Sequence, residues 1–149
     1  MTDYASVILV NLSDFIGEGR SASDVSEAIQ VAYPTVSKIL KLLHKAGLVC
    51  SQRGVNGGYL LARCPAEITL AQLMDAVDNP TCLTGCSGLD SVCEQQRVCA
   101  VSDNWKLINQ VVQCLFESVT VADLGADLTL CSIMKKMIPD GLVEVEDVV

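Results

Sequence analysis

The segment of residues 35–46 constrains the fold of this chain more than any other feature of its sequence. Pro34 precedes it, where the first turn of a helix does not need the missing backbone N–H, and Gly47 follows it, where a left-handed residue ends many helices. At about 100° per residue, apolar side chains fall on one side and lysines on the other: Val36, Ile39, Leu40 and Leu43 oppose Lys38, Lys41 and Lys45. The pattern indicates one face for a core and one for an anion, although a merely solvated lysine face is equally common.

A predicted β-hairpin follows this helix. Residues 48–53 and 59–62 are composed like two short strands, and the letters GVNGG at 54–58 form a turn that tolerates positive φ. Before the helix, residues 2–16 carry apolar side chains at helical spacing, and Ser21 with Asp24 forms a capping box that starts a second, short helix. The order of helix, short helix, lysine-faced helix and hairpin predicts a winged helix-turn-helix.

This architecture implies double-stranded DNA as a partner, because its third helix enters the major groove and its hairpin, the wing, contacts the backbone or the minor groove. The net charge of −8 does not contradict this interpretation, since residues 1–65 carry 6 basic and 5 acidic side chains and the acidic excess lies in the remainder. The residues predicted to contact DNA are Thr35, Ser37, Lys38, Lys41 and Lys45 on the helix, and Arg53 and Asn56 on the wing.

The composition favours a mainly α-helical protein. Hydrophobic residues make up 50% of the chain but aromatic residues only 4%, so the core must be aliphatic, which suits helices packed side by side. No signal-peptide pattern is visible, and no apolar stretch approaches the about 20 residues that span a bilayer. We therefore expect a cytoplasmic protein without membrane association. Eight cysteines in that reducing compartment indicate metal binding or redox chemistry more than disulfides.

Four of these cysteines lie in one stretch, residues 82–99, whose other residues are mostly small, polar or turn-forming: Cys82, Cys86, Cys93 and Cys99. The gaps of 3, 6 and 5 residues differ from the paired C-x-x-C knuckles of structural zinc sites but allow a loop to wrap a larger inorganic cluster. We interpret this cysteine segment first as an iron–sulfur ligand set. The other cysteines stand singly in apolar surroundings and are predicted to be small core side chains: Cys50, Cys64, Cys114 and Cys131.

Beyond the cysteine segment, apolar residues recur at heptad spacing, at Trp105, Ile108, Val112, Leu115 and Val119. This seam predicts a long helix that mediates self-association, with packing on its own N-terminal domain as the alternative. Capping signals predict a helix after Thr69 and a short one over 122–128. The expected division is a DNA-binding domain at 1–65, the cluster loop and dimerisation helix at 66–128, and an acidic C-terminal tail at 129–149.

Two stretches carry a resemblance to a known family. PTVSKILKLLHKAGLVCSQRGVNGGYLLA, at 34–62, resembles the recognition helix and wing of the Rrf2 family of bacterial transcription regulators. LTGCSGLDSVCEQQRVCAVSDNWKLIN, at 83–109, is similar to the family's regulators of the SUF iron–sulfur assembly system. The resemblance covers residues 2 to about 123. It implies a homodimer joined by the long helix, and control of iron–sulfur assembly genes.

The same resemblance implies the ligands of a [2Fe–2S] or [4Fe–4S] cluster, with the nuclearity left open. The family's three cluster cysteines correspond to Cys86, Cys93 and Cys99. Ser102 stands where one type of relative has a ligating His. Another type of relative uses an Asp near the start of its first helix, and the resemblance places Asp3 at that position, reaching the partner subunit's cluster, with Cys82 as the alternative fourth ligand. Relatives usually have a basic, apolar leader before the TDY-like motif; this chain begins at Met1, which predicts weaker phosphate contact or a different start.

Two other functions are compatible with the sequence. The first is a DNA-binding regulator of the same fold that has zinc or a thiol–disulfide sensor at the cysteines. An iron–sulfur carrier or assembly accessory that binds no DNA is the other, and the net charge of −8 is consistent with it. No nucleophile–base pair or phosphate-cradling loop is recognisable, so neither an enzyme nor a small-molecule substrate is expected. The lone histidine, His44, is predicted to lie on the helix surface or face phosphate rather than bind metal.

Overall fold

The structure of this protein is a computed structural model that describes residues 1–54, 57–78, 83 and 99–138. The described helices are α1 (Thr2–Ser13), α2 (Ala22–Ile29), α3 (Tyr33–Lys45), α4 (Leu70–Val77), α5 (Ser102–Ser118), α6 (Val121–Leu124) and α7 (Leu130–Met137). Two strands, β1 (Val49–Gln52) and β2 (Gly58–Leu61), form a hairpin between α3 and α4. The chain is thus mainly α-helical with a small β-hairpin wing, as predicted.

The N-terminal helices begin and end where the sequence signals lie. Ser21 and Asp24 form the predicted capping box at the start of α2. Pro34 occupies the first turn of α3, and Gly47 just beyond that helix has φ +72°, a left-handed conformation that costs glycine little. The first helix ends at Ser13, earlier than the predicted residue 16.

The core lies beneath α3 and is built from aliphatic side chains of the N-terminal helices, the start of the wing and α4. The four residues predicted for the buried face of α3 are all fully buried: Val36, Ile39, Leu40 and Leu43. They pack in one cluster with Ile8 and Leu9 of α1, Val25 of α2 and Leu73 of α4. Because each such side chain contributes about 1.5–3 kcal/mol on burial, this cluster determines how α3 is oriented.

The wing is an antiparallel hairpin held against the turn before α2. Its register pairs Val49 with Leu61 and Gln52 with Gly58. Arg20 extends the hairpin with two backbone hydrogen bonds, since its N–H donates to the Tyr59 carbonyl at 2.9 Å and the Tyr59 N–H donates to the Arg20 carbonyl at 2.7 Å. The orientation of the wing relative to the helices is therefore determined by backbone contacts.

The second half of the chain is attached to the first by short backbone bridges. The N–H of Leu70 donates to the Val119 carbonyl at 2.8 Å, and the N–H of Val121 donates to the Ile68 carbonyl at 2.9 Å. Thr69 forms the predicted capping box with Gln72 at the start of α4. Helix α6 is shorter than the predicted 122–128, since it ends at Leu124 with Gly125 as its C-cap.

Helix α7 was not predicted. Its start is a capping box between Thr129 and Ser132, which lacks the Glu or Gln that usually marks such a box. Its Lys136 forms a salt bridge with Asp123, whose carboxylate also accepts from Thr120. Part of the segment expected to be an acidic tail is thus a helix with basic residues in its last turn; residues 139–149 lie outside the described part.

In the portion of the chain that the structure describes, no helix is long and apolar enough to cross a bilayer.

Candidate nucleic-acid interface and cysteine segment

The outer face of α3 carries the predicted lysines. Lys38, Lys41 and Lys45 are exposed, while Thr35 and Ser37 near the start of the helix are half-buried. None of these lysines is in a salt bridge within the described residues. Their ammonium groups are therefore available to phosphate, on the side opposite the core.

The C-terminal end of α3 is attached to the wing. His44 is exposed, and its Nδ1 lies 3.1 Å from the Val49 carbonyl at the start of β1, a contact in which the ring nitrogen donates. This places His44 on the helix surface, as predicted. Arg53 is exposed at the end of the hairpin, whereas the predicted wing-tip residue Asn56 lies outside the described residues. The described DNA-facing candidates lie on α3 and on the wing directly following it.

An acidic groove lies beside the wing. It is lined by Glu18, Asp24 and Gln52 among others and has a volume of about 710 Å³. Hydrogen bonds from Ser21 hold the pKa of the Asp24 carboxyl below its usual value, so this carboxylate stays charged at neutral pH. Negative charge in the groove disfavours phosphate there.

Of the predicted cluster ligands in the cysteine segment, the structure describes Cys99. Its thiol is free of disulfide bonding and half-buried, and its carbonyl accepts from the Ser102 N–H at 3.3 Å, where α5 begins. Cys82, Cys86 and Cys93 lie outside the described residues. Within the described part, no three His, Cys, Asp or Glu side chains come together as a metal site.

Asp3, the predicted fourth ligand, lies in the first turn of α1 with 73% of its side chain exposed. Its carboxylate is 3.8 Å from the Met1 amino group. Next to it, Asp78 at the end of α4 accepts hydrogen bonds from the Thr2 N–H at 2.7 Å and the Thr2 hydroxyl at 2.6 Å. Asp78 thus connects the start of α1, which carries Asp3, to the end of α4. From Asp78 the chain leads towards the cysteine segment.

A second long-range contact involves Asn109 of α5, which is only 8% exposed. Its Oδ1 accepts a hydrogen bond from the backbone N–H of Leu83 at 3.1 Å. Neither Asp78 nor Asn109 was predicted from the sequence as a contact residue. An Asn in the interior of a helix is a weak hint of a buried polar contact, but no local signal identifies the partner.

The apolar residues of α5 are largely exposed. Trp105 is 38%, Ile108 45%, Leu107 61% and Val111 54% exposed. Val112 and Leu115 are half-buried, and only Val119, just beyond the helix, is buried. The predicted seam therefore packs on its own chain at its C-terminal end, while its N-terminal half leaves apolar surface uncovered.

The prediction that the scattered cysteines are core residues was wrong for Cys64, Cys114 and Cys131, which are exposed. The prediction relied on the apolar residues next to each cysteine in sequence. Such neighbours do not show which side of a helix is buried, and Cys114 lies on the exposed side of α5. Cys50 is half-buried, and its thiol donates weakly to the Leu60 carbonyl at 3.7 Å across the hairpin.

A lysine-faced third helix followed by a two-stranded wing defines the chain as a winged helix-turn-helix protein. The profile of the Rrf2 family, described as iron-dependent transcriptional regulators, matches residues 1–127. The chain therefore belongs to the Rrf2 family of transcription regulators.

Individual relatives agree with this assignment. The HTH-type transcriptional regulator IscR of Aliivibrio salmonicida is 27% identical over 125 residues, which cover 83% of this chain and 74% of that protein. The structure of T. potens IscR has a TM-score of 0.63 at 25% identity, covering 83% of this chain and 81% of the other. CymR, the global cysteine regulator of B. subtilis, has a TM-score of 0.66 at 23% identity, covering 83% and 92%, and supports the fold.

Proposed function

We propose that this regulator binds operator DNA with an affinity controlled by an iron–sulfur cluster. The observation that carries the proposal is the contact of both described ends of the cysteine segment with α5: Leu83 bonds to Asn109, and Cys99 to Ser102. A ligand bound by this segment would therefore act on a helix of the folded core. The family's description as iron-dependent and the similarity to IscR proteins support iron as the metal.

The ligands we assign are Cys86, Cys93 and Cys99, with Asp3 as the fourth and Cys82 as the alternative. The chemistry of this donor set fits an iron–sulfur cluster, because such clusters are held mainly by thiolates and Cys99 keeps a free, half-buried thiol. The exposed carboxylate of Asp3 is accessible to a ligand approaching the first turn of α1. When bound, the cluster would supply sensitivity to oxidants or nitric oxide, and both nuclearities fit.

DNA recognition is assigned to the exposed face of α3 and to the wing. Lys38, Lys41 and Lys45 would contact phosphate, giving a salt-dependent affinity. Thr35 and Ser37, at the N-terminal end of α3, would reach base edges, where each good contact is worth about 1–3 kcal/mol of discrimination. Arg53 and Asn56 would contact the backbone or the minor groove from the wing.

We further propose a homodimer, with the exposed apolar face of α5 as the contact. Leu107, Ile108 and Val111, with the partly exposed Trp105, leave an apolar surface on this helix. A second copy of α5 would cover this surface and set the separation of the two α3 helices, which must match major grooves about 34 Å apart. The expected site of action is the cytoplasm, and the expected targets are iron–sulfur assembly genes, with neither a catalytic role nor a small-molecule substrate.

Anaerobic purification followed by iron and sulfide quantitation tests the cofactor. The expected protein is brown and loses its visible absorption when Cys86, Cys93 and Cys99 are replaced by Ser. Operator titration of the same sample, with and without the cluster, tests the control of DNA binding. A colourless protein that contains zinc or a reversible disulfide would support the sensor alternative, and a brown protein that binds no operator would support the carrier alternative.

A further inference from the structure

Helix α5 buries polar side chains and exposes large apolar ones. Within the described residues, the buried polar side chains are Ser102 and Asn109, both on this helix, at 5% and 8% exposure. Burying a polar side chain is unfavourable unless it is hydrogen-bonded, so each needs a specific partner to hold its place. The buried position of Asn109 is therefore stabilised by a specific hydrogen bond and not by apolar packing alone.

The contact of Asn109 is defined by the chemistry of its partner. The Leu83 backbone N–H is a donor, so the amide oxygen of Asn109 must be the acceptor, and the two atoms lie 3.1 Å apart. Leu83 lies in the cysteine segment, between Cys82 and Cys86 in sequence. The Asn109 side chain thus holds the backbone of the segment that supplies the proposed cluster ligands.

The contact continues towards the DNA-binding face through packed helices. Helix α5 packs on α4, and α4 packs on α3, whose outer face carries the lysines. Leu73 of α4 belongs to the same buried cluster as Ile39 and Leu40 of α3. A shift of α5 would consequently reach α4, which packs on the recognition helix through fully buried side chains.

We propose that Asn109 is a positioning residue that couples the ligand state of the cysteine segment to α5 and thereby to operator binding. The proposal rests on the proposed function, because it assigns the residue through which cluster occupancy acts. Asn109 holds the Leu83 backbone and is not itself a cluster ligand. Removing its oxygen should therefore separate cluster binding from DNA control.

The test compares Asn109→Leu, which keeps the approximate shape but removes the acceptor, with Asn104→Leu on the exposed side of the same helix. Each protein is examined for iron and sulfide content, visible absorption, and operator affinity with and without cluster. Couplings of this kind typically change affinity about 5- to 150-fold. We expect Asn109→Leu to keep its cluster while the ratio of the two operator affinities falls to within about twofold of unity.

Asn104→Leu should keep the wild-type ratio, and Asn109→Asp, which retains an acceptor oxygen, should restore most of it. If Asn109→Leu keeps both the cluster and the wild-type ratio, the inference is refuted while the proposed function stands. If the wild-type affinity does not depend on the cluster, both are refuted together.

A measurement on the wild type needs no variant. Hydrogen exchange of a short peptide spanning Leu83 should differ between the cluster-loaded and cluster-free protein, because the Asn109 contact is expected to change with occupancy. Equal exchange in the two states overturns the inference, even if Asn109→Leu does not fold.

Discussion

Gly58 lies directly against the backbone of Arg20. A Cβ atom built on Gly58 would be 2.4 Å from both the carbonyl carbon and the carbonyl oxygen of Arg20, far inside van der Waals contact. The neighbouring Tyr59 exchanges two backbone hydrogen bonds with Arg20 at the same place. The wing can approach the turn before α2 this closely only because residue 58 has no side chain.

Gly58→Ala should therefore destabilise the protein by about 3 kcal/mol, because backbone atoms must move apart and the Arg20 hydrogen bonds weaken. Urea denaturation measures the loss in the free energy of unfolding. Gly125→Ala is the matched control, since the nearest atom to its added Cβ is a Val10 methyl at 3.4 Å. Equal stability of the two variants would contradict the close approach.

The pH dependence of stability should reveal the bond between Asp78 and Thr2. Hydrogen bonds from the Thr2 side chain, and then from the Met1 amino group, hold the pKa of Asp78 below its usual value of 3.8. Because the folded-state pKa is the lower one, the stabilisation is present above about pH 4 and is lost as the pH falls through the folded-state value.

Asp78→Asn should accordingly have a lower melting temperature than the wild type at pH 6. Between pH 5 and 3, about one unit either side of the usual carboxyl pKa, the melting temperature of the variant should fall less than that of the wild type. Thermal unfolding followed by circular dichroism measures both. Asp75→Asn, an exposed residue of the same helix, is the control. A variant curve parallel to that of the wild type would exclude a role of this carboxylate.

The lysines of α3 should affect DNA binding and not folding. Each phosphate contact removed from B-DNA lowers the steepness of the logarithmic salt dependence by about 0.9, so Lys38→Ala with Lys41→Ala should lower it by about 1.8. Stability should change by less than about 0.5 kcal/mol, because both side chains are exposed. Leu40→Ala, one position from Lys41 but fully buried, should instead cost about 2–5 kcal/mol.

Fluorescence titration of operator DNA at several salt concentrations provides the slope for the lysine pair. An unchanged slope and affinity in the double variant would show that this face of α3 does not meet phosphate.

Replacing Ile108 by Glu should dissociate the proposed dimer, because a carboxylate would be desolvated in the apolar contact. Sedimentation velocity reports the mass, and the fluorescence of Trp105, the chain's single tryptophan, should shift to longer wavelength as it returns to water. Gln110→Glu, an exposed polar position of the same helix, adds the same charge and should leave the mass unchanged. Wild type that sediments as a monomer at all concentrations would rule out the contact.

Much of the N-terminal half of the chain could be predicted from the sequence because its signals are local. The spacing of Val36 and Leu40 against Lys38 and Lys41 specifies which side of α3 is buried, and helical geometry converts that spacing into two faces without further information. The caps at Ser21 and Thr69 likewise involve a residue and its neighbour three positions on. Helix α7 was not predicted because its capping box has Ser132 at the position where Glu or Gln is usual.

The fold class, the lysine face and the clustering of the cysteines in one segment follow from the order of the amino acids alone. How that segment is attached depends on tertiary contacts, because the bonds of Asp78 with Thr2 and of Asn109 with Leu83 join residues 76 and 26 positions apart. Periodicity and capping report on neighbours within a few residues. Which distant backbone group satisfies a buried amide depends on how helices pack, and that packing is a property of the whole core.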